Sequence, residues 1–419
     1  MADGTVYLAA GIFVLTFALL SIRSIRSYRL DRPAVALFGA ALMLAFGIVT
    51  PAQALAAIDL NVLLLLLGMM LLVAGLDVCG FFDLVSRKVA EVSRSQVHFL
   101  TLLFASTAIL SALVLNDTIV LLMTPVVVKA CRTLKVNAVP YLVGLALAAN
   151  IGSVATPVGN PQNAYIAIRG GLPFATFTGH LFLVAALSLL VGLAVVMLVF
   201  RRDLAAKVVA FEEARKAAPV ILHRRGLAFT LAVVVGTVAA FSLTSPDTLP
   251  FAALTGGALV LLVLPAIART TPRTLFEKVD WSILILFLGL FVVMEGVRTS
   301  GLLAEILARF GGNGPATDVW RLSGTAAVVS NLVSNVPAVL LLSPFVAAAP
   351  AAAQQSLWLG LAASSTLAGN ATILGAAANI IVVQVAAKAG AEVSMKDFVK
   401  AGLPTALLTL VLAATLLSR

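Results

Sequence analysis

Charge is scarce in this chain. Only 11% of its 419 residues are Asp, Glu, Lys or Arg and 61% are hydrophobic, whereas a water-soluble domain is about a quarter charged and about half apolar. A soluble globular protein is thereby excluded. Runs of 17 to 25 apolar residues recur along the whole length, each able to cross a hydrocarbon core of about 30 Å as a helix. Cysteine is rarer still: Cys79 and Cys131 supply neither a disulfide framework nor a metal cluster. Three scattered histidines, His98, His180 and His223, give a metal enzyme no support. No G-x-x-x-x-G-K-[ST] occurs, and "GGNGP" (311–315) has glycines without the lysine, so the chain encodes no nucleotide site. These absences leave a non-enzyme with no metal and no cofactor. The net charge of +10 falls mainly in loops and is explained by orientation in a membrane, without nucleic acid.

Charge placement predicts the topology. The first apolar run follows a short acidic stretch, lacks a basic leader and is followed by arginines, which reads as a retained span and not a cleaved signal. Short loops rich in Lys and Arg stay cytoplasmic, and here they are 23–32 (Arg23, Arg26, Arg29, Arg32), 87–94 and 201–225. Ten crossings are expected, at 5–22, 34–50, 60–77, 140–168, 176–200, 227–243, 250–268, 281–297, 356–388 and 398–417. Both termini then lie outside a bacterial-type inner membrane. The expected fold is an all-α polytopic membrane protein.

An internal repeat refines this. "DLNVLLLLLGMMLLVAGLDVCG" (59–80) aligns with "DWSILILFLGLFVVMEGVRTSG" (280–301) without a gap, placing Asp59, Gly68, Gly75 and Gly80 on Asp280, Gly289, Gly296 and Gly301. "NDTIVLLMTPVVV" (116–128) aligns with "NVPAVLLLSPFVA" (335–347), and "NIGSVATPVGNPQN" (150–163) with "TLAGNATILGAAAN" (366–379). Fixed-period self-similarity signals duplicated architecture. Residues 1–200 form one repeat, 201–226 a basic cytoplasmic linker and 227–419 the second repeat. Five crossings per half, an odd number, insert the halves in opposite orientation, a common plan of secondary transporters.

Two segments do not fit as single spans. Residues 98–131 as one helix would be about 50 Å long, too long for one crossing. A hairpin turning inside the membrane at "NDT" is expected, with a twin over 321–349 turning at "SNVP" (334–337). Two complete spans with a surface turn give the same charge topology; re-entry is preferred because non-helical backbone at membrane depth is tolerated where it lines a cavity. The span 140–168 holds Gly152, Pro157, Gly159 and Pro161, which break a helix. Its partner 356–388 has Gly369 and Gly375 but no proline at the break.

Broken helices expose N–H donors and a positive dipole at one end and carbonyls at the other. Asn116, Thr118, Thr156, Gly159, Asn160 and Asn163 from one half, with Ser334, Asn335, Thr366, Asn370, Thr372 and Asn379 from the other, are the candidates to line one small polar chamber. Each alone would serve equally well to bond neighbouring helices. Asp117 stands apart. A carboxylate at the bilayer centre costs about 2.5 to 3.5 kcal/mol and usually serves ion or proton handling. Its repeat partner is Val336, so the acid is no part of the duplicated scaffold and is assigned to proton coupling. Capping of the hairpin's second helix is the structural alternative. With many amides and hydroxyls and no Arg or Lys evident, the chamber suits an uncharged hydroxy acid better than a dianion. Arg169, Arg298, Asp77 and Glu295 read as rim or structural charges, and Cys79 and Cys131 as lying outside the chamber.

"NDT…LLMTP" followed by "ANIGSVATPVGNPQN" resembles the signature of arsenite permeases of the ArsB type and related anion permeases. Their superfamily also holds sodium/proton antiporters and dicarboxylate carriers. The resemblance implies a scaffold domain, a transport domain with two opposed hairpins, an elevator movement in a homodimer, and proton-driven efflux of arsenite or antimonite with the hairpin acid on Asp117. A carrier of inorganic or carboxylate anions and a sodium/proton antiporter are the alternatives. Carboxylate carriers show Ser-Asn-Thr at both tips; this chain has Asn-Asp-Thr and Ser-Asn-Val, which weakens a sodium-coupled dicarboxylate importer. Expected partners are the small solute, protons and lipid, with the basic loop 201–226 as the docking place for a cytoplasmic ATPase.

Overall fold

The structure, a computed structural model, describes residues 2–21, 24–25, 28–29, 31–205, 222–243, 245–310 and 316–418. Arg23, Arg26, residues 206–221 of the linker and "GGNGP" lie outside them. The helices of the first half are α1 (Ala2–Ser21), α2 (Arg32–Ala45), α3 (Pro51–Ala57), α4 (Leu60–Val78), α5 (Phe81–Val92), α6 (Gln96–Leu113), α7 (Asn116–Leu134), α8 (Val139–Ser153), α9 (Pro161–Arg169), α10 (Phe174–Val199) and α11 (Arg201–Leu204). The second half has α12 (Arg224–Leu243), α13 (Leu249–Ala268), α14 (Pro272–Phe276), α15 (Trp281–Thr299), α16 (Leu302–Phe310), α17 (Val319–Val333), α18 (Asn335–Ala347), α19 (Ala351–Ala368), α20 (Ala377–Lys388) and α21 (Met395–Leu417). A two-residue ladder, Ser24–Ile25 against Tyr28–Arg29, interrupts the all-helical expectation between α1 and α2.

Among the described residues, eight helices are long and apolar enough to cross a membrane. Seven of them match expected spans, and the eighth, α6, is the first arm of a hairpin. The expected span 34–50 is shorter than foreseen: α2 has 14 residues, about 21 Å, and a left-handed Gly47 turns the chain after it.

Reciprocal pairing ties the halves together. α4 packs on α13, and α2 packs on α15. A Cβ on Gly68 would stand 2.3 Å from the Ala253 backbone, and one on Gly289 would stand 2.6 Å from that of Ala36. One turn pair further on, Gly75 meets Val260 and Gly296 meets Met43, while Gly39 faces Thr16 as Gly256 faces Thr237. Each contact in one half thus recurs in the other. These contacts fix a further repeat register that the sequence comparison missed, with Arg32-Pro33 on Leu249-Pro250 and Gly39 on Gly256 at an offset of 217. They also fix direction: 68 to 75 tracks 253 to 260, so α4 and α13 run parallel. Since α2 and α4 are successive crossings, α13, the equivalent of α2, points the opposite way to it. The repeats are inverted.

Close backbone approach of this kind is how membrane helices associate without a hydrophobic drive. Gly68→Ala and Gly289→Ala are therefore expected to destabilise by similar amounts, about 1 to 3 kcal/mol each, measurable by thermal unfolding in detergent. A large loss at one and none at the other would contradict the symmetric packing.

Both hairpins stop at the breaks. α6 lies alongside α8 in parallel, Gly144 against Leu100 and Gly152 against Ala108. Its end therefore reaches the level at which α8 unwinds, while α9 still has nine residues to run, about 13 Å. The backbone N–H of Asn116 donates to the Gly159 carbonyl at 2.9 Å, docking the tip on the break. In the second half Val319 meets Gly360, and Asn331 Nδ2 donates to the Ala368 carbonyl at 2.9 Å. The chain does not break at "NDT" itself. Val114 and Leu115 are extended, and Asn116 and Asp117 open the returning helix with no side-chain cap of its own. In the twin, Ser334 alone forms the turn, at φ +78° and ψ 167°, a region that strains any residue but glycine. The 356–388 span unwinds without proline: Gly375 passes so near the Gly369 carbonyl that a Cβ would stand 2.6 Å from it.

Candidate functional site

Four helices, α7, α9, α18 and α20, begin at one place. Asn116 and Asp117, Pro161 and Gln162, Asn335 to Pro337, and Ala376 and Ala377 wall a cavity of about 60 Å³. Each helix start presents unsatisfied N–H groups and about half a positive charge, so the cavity is a preorganised field for electron-rich oxygen atoms.

An amide network holds these starts together across the two repeats. Asn150, fully buried, donates through Nδ2 to Asn370 Oδ1 at 3.0 Å and Asn379 Oδ1 at 2.9 Å, and accepts from Asn116 Nδ2 at 3.2 Å. Its repeat equivalent, Thr366, accepts from Gln162 Nε2 at 3.0 Å and from Asn160 Nδ2 at 3.4 Å. Asn160 also caps α9, receiving the Asn163 N–H at 2.9 Å. Asn163 Nδ2 bridges the break to the carbonyls of Ser153 (3.0 Å) and Thr156 (3.1 Å). Asn379 repeats this in the other half with Gly369 (2.8 Å) and Thr372 (2.9 Å). With its amide turned so that nitrogen meets acceptors, Asn335 donates to Gly375 and Ser365 carbonyls and accepts from Gln162. Asn116 Oδ1 and Asn370 Nδ2 have no protein partner, and buried polar atoms of that kind ask for an explanation.

Most of the residues singled out from the sequence are thus brought together: Asn116, Asn160, Asn163, Asn335, Thr366, Asn370 and Asn379 share the network, and Gly159 and Ser334 sit against it. Thr156 turns away to the Ala112 carbonyl and Thr372 to Asn331. Thr118 faces a neighbouring cavity of about 290 Å³ with Asp117, Asp280 and the Asp77–Lys278 ion pair. Asn150, Gln162 and Ser365 were missed, although Asn150 falls on Thr366 in the repeat alignment, a signal that was available.

Two expectations need correction. Arg32, read as a loop charge, reaches the cavity wall, and its Nη1 donates to Ser334 Oγ at 2.9 Å. The chamber therefore does contain a cation, because α2 starts deep enough for its first residue to point at the hairpin tips. Asp117 does cap a helix, but not its own: it accepts from the backbone N–H of Ala378 in the first turn of α20. Arg32 attracts it across the cavity and Asp280 repels it.

Larger vestibules flank the site. One of about 830 Å³ includes Asp59, Tyr165, Met294, Glu295, Arg298 and Leu340. At the repeat-equivalent positions, Asp280, Ile381, Val73, Ala74, Asp77 and Leu121 line the 290 Å³ cavity. The two are related by the inverted repeat and open on opposite faces. Asp117 also borders a cavity of about 650 Å³ with Leu20, Asp31 and Arg32, so it communicates with the face on which α1 ends. Arg169 sits 3.9 Å from Asp59, and Arg298 2.5 Å from Glu295, the rim roles expected. Cys79 and Cys131 are buried and line none of these cavities.

Inverted halves, opposed re-entrant hairpins and helices that unwind around a central polar cavity define a membrane transporter. The profile of the citrate transporter family, CitMHS, matches residues 12–363, and the chain belongs to that family. It is 32% identical to an uncharacterized transporter of Mycobacterium tuberculosis over 98% of this chain and 97% of that protein. It is 29% identical to a silicon efflux transporter of Oryza sativa subsp. japonica over 93% of each. In fold it resembles MtrF of Neisseria gonorrhoeae, whose structure was described with a class of antimetabolite efflux pumps, at a TM-score of 0.60 and 13% identity over 99% of this chain and 94% of that one.

Proposed function

We propose that this protein is a proton-coupled exporter of a small hydroxy acid of a metalloid, arsenous or antimonous acid first, with Asp117 as the proton carrier. The observation that carries this reading is the size of the central cavity. At about 60 Å³ it has room for roughly four waters, which suits a trihydroxide better than a bulky tricarboxylate. The oxygen-seeking helix starts and the amide network suit hydroxyl groups. The motif resemblance to arsenite permeases and the silicon-exporting relative point to the same chemistry, orthosilicic acid being one hydroxyl larger. With the basic loops read as cytoplasmic, the Arg32 face lies inside and the substrate enters past Asp117.

A carrier of small carboxylates is the second reading, favoured by Arg32, by the four helix starts and by the family's description. Everted membrane vesicles separate the two. Arsenite accumulation that follows an imposed proton gradient and disappears when the gradient is collapsed is the expected result. Sodium-dependent carboxylate uptake without arsenite movement would assign the protein to the second class.

A further inference from the structure

We propose that Arg32 is the coupling partner of Asp117, a fixed cation that the hairpin acid meets in one conformation of the transport cycle and loses in the other. This rests on the proton-coupled reading above and names the device that drives it.

Three observations carry it. First, Arg32 belongs to α2, which is packed along α15, whereas Asp117 and Ser334 belong to the hairpin tips. The Arg32 to Ser334 hydrogen bond of 2.9 Å and the attraction between Arg32 and Asp117 therefore join a bundle helix to both tips, and any movement of the tips past α2 breaks them together. Second, the anchor falls on Ser334, whose backbone is held at φ +78°. A strained turn tied to a half-buried cation is a contact over-determined in one state.

Third, the arrangement has no counterpart in the other half. Arg32-Pro33 corresponds to Leu249-Pro250, and Asp117 to Val336, although the aspartates at the starts of α4 and α15, Asp59 and Asp280, are matched. In a transporter of inverted repeats, the second conformation arises when the halves exchange their arrangements. Asp117 then occupies the setting that Val336 has here, and the position matching Arg32 is taken by a leucine. The acid thus faces a cation on one side of the membrane only. Opposite charge favours the ionised acid and its removal favours the protonated one, so the proton leaves on the Arg32 side and binds on the other. The bookkeeping is one proton on or off the carboxylate, with no other bond changed.

The other charged groups bordering Asp117 are Asp280 at the cap of α15, Asp31 beside Arg32, Asp77 at the end of α4, and Glu277 and Lys278 before α15. Lys278 is paired with Asp77, which leaves Arg32 as the cation available to Asp117 among the described residues at its cavity.

The test has two readouts on purified full-length protein. In infrared difference spectra, the carboxyl band that Asp117→Asn removes is titrated in wild type, Arg32→Gln and Arg32→Lys. Arg32→Gln is expected to raise the proton affinity of that group at least tenfold, since an adjacent opposite charge shifts a carboxyl by one unit or more, and Arg32→Lys to stay near wild type. An unchanged titration in Arg32→Gln overturns the proposal, and this readout does not depend on the substrate. In proteoliposomes, Arg32→Gln is expected to lose gradient-driven arsenite accumulation at least tenfold and Arg32→Lys to retain it. Equal loss in Arg32→Lys would make Arg32 a structural residue and sink the coupling role. Failure of wild type to move arsenite overturns the substrate reading alone, because the titration still decides the role of Arg32.

Discussion

Asp117→Asn is expected to reduce gradient-driven arsenite accumulation to the level of protein-free vesicles while leaving the protein folded. The amide is isosteric and keeps its place at the start of α7, and it still lies against the Ala378 N–H that the acid now engages. What it lacks is an exchangeable charge. Losing a carboxylate at a helix N-terminus shifts stability by about 0.3 to 2 kcal/mol, so the unfolding temperature in detergent should move by a few degrees. Coupled transport should disappear, and exchange of arsenite across vesicles without a gradient should persist, since the amide network is untouched and the isosteric amide keeps the shape of the cavity wall. Full accumulation in the variant would remove Asp117 from the coupling role and leave it a helix cap, the structural alternative.

Asn150→Ala should have the largest effect on stability. One side chain serves Asn116, Asn370 and Asn379, so its truncation strands a donor and two acceptors where nothing else reaches them. Each stranded buried group costs about 1 to 3 kcal/mol. Single side-chain hydrogen bonds between membrane helices average only about 0.6 kcal/mol, because the unfolded helices find other partners. Three lost at once still amount to about 2 kcal/mol on that scale and to about 3 or more where the stranded groups stay dry, a large part of a marginal total of about 5 to 15. The check is thermal or denaturant unfolding of the purified protein against Ser188→Ala, which removes a buried hydroxyl that has no partner and should be near neutral. Equal losses in the two variants would mean that the network does not hold the halves together.

Why the repeat was legible and the charge pattern was not has a physical explanation. Glycines at helix crossings cannot change without moving a backbone, so Gly68 and Gly289 keep register while the leucines around them drift. Gly159 and Gly375 do the same at the two breaks, and the second break could be read from glycine spacing even without proline. Arg32 illustrates the opposite case. A lone arginine among loop arginines is indistinguishable from a topology signal until α2 is known to begin beside the hairpin tips. The clue was local: Arg32-Pro33 opens a helix as Leu249-Pro250 does, and Pro at a first turn is a starting signal. The acid's partner on α20 was out of reach altogether, since contacts between the repeats follow from how the halves dock and leave no spacing in the chain.

The reciprocal pairing of α4 with α13 and α2 with α15 also bears on biogenesis. Ala36 leaves the ribosome long before Gly289, the residue it will lie against, has been made; at 5 to 20 residues per second the wait is roughly 10 to 50 s. Throughout that interval the nascent first half carries helix faces shaped for neighbours that do not yet exist, and insertion machinery or lipid must shield them. Split versions of the gene are therefore expected to yield stable protein only when both pieces are synthesised in the same cell.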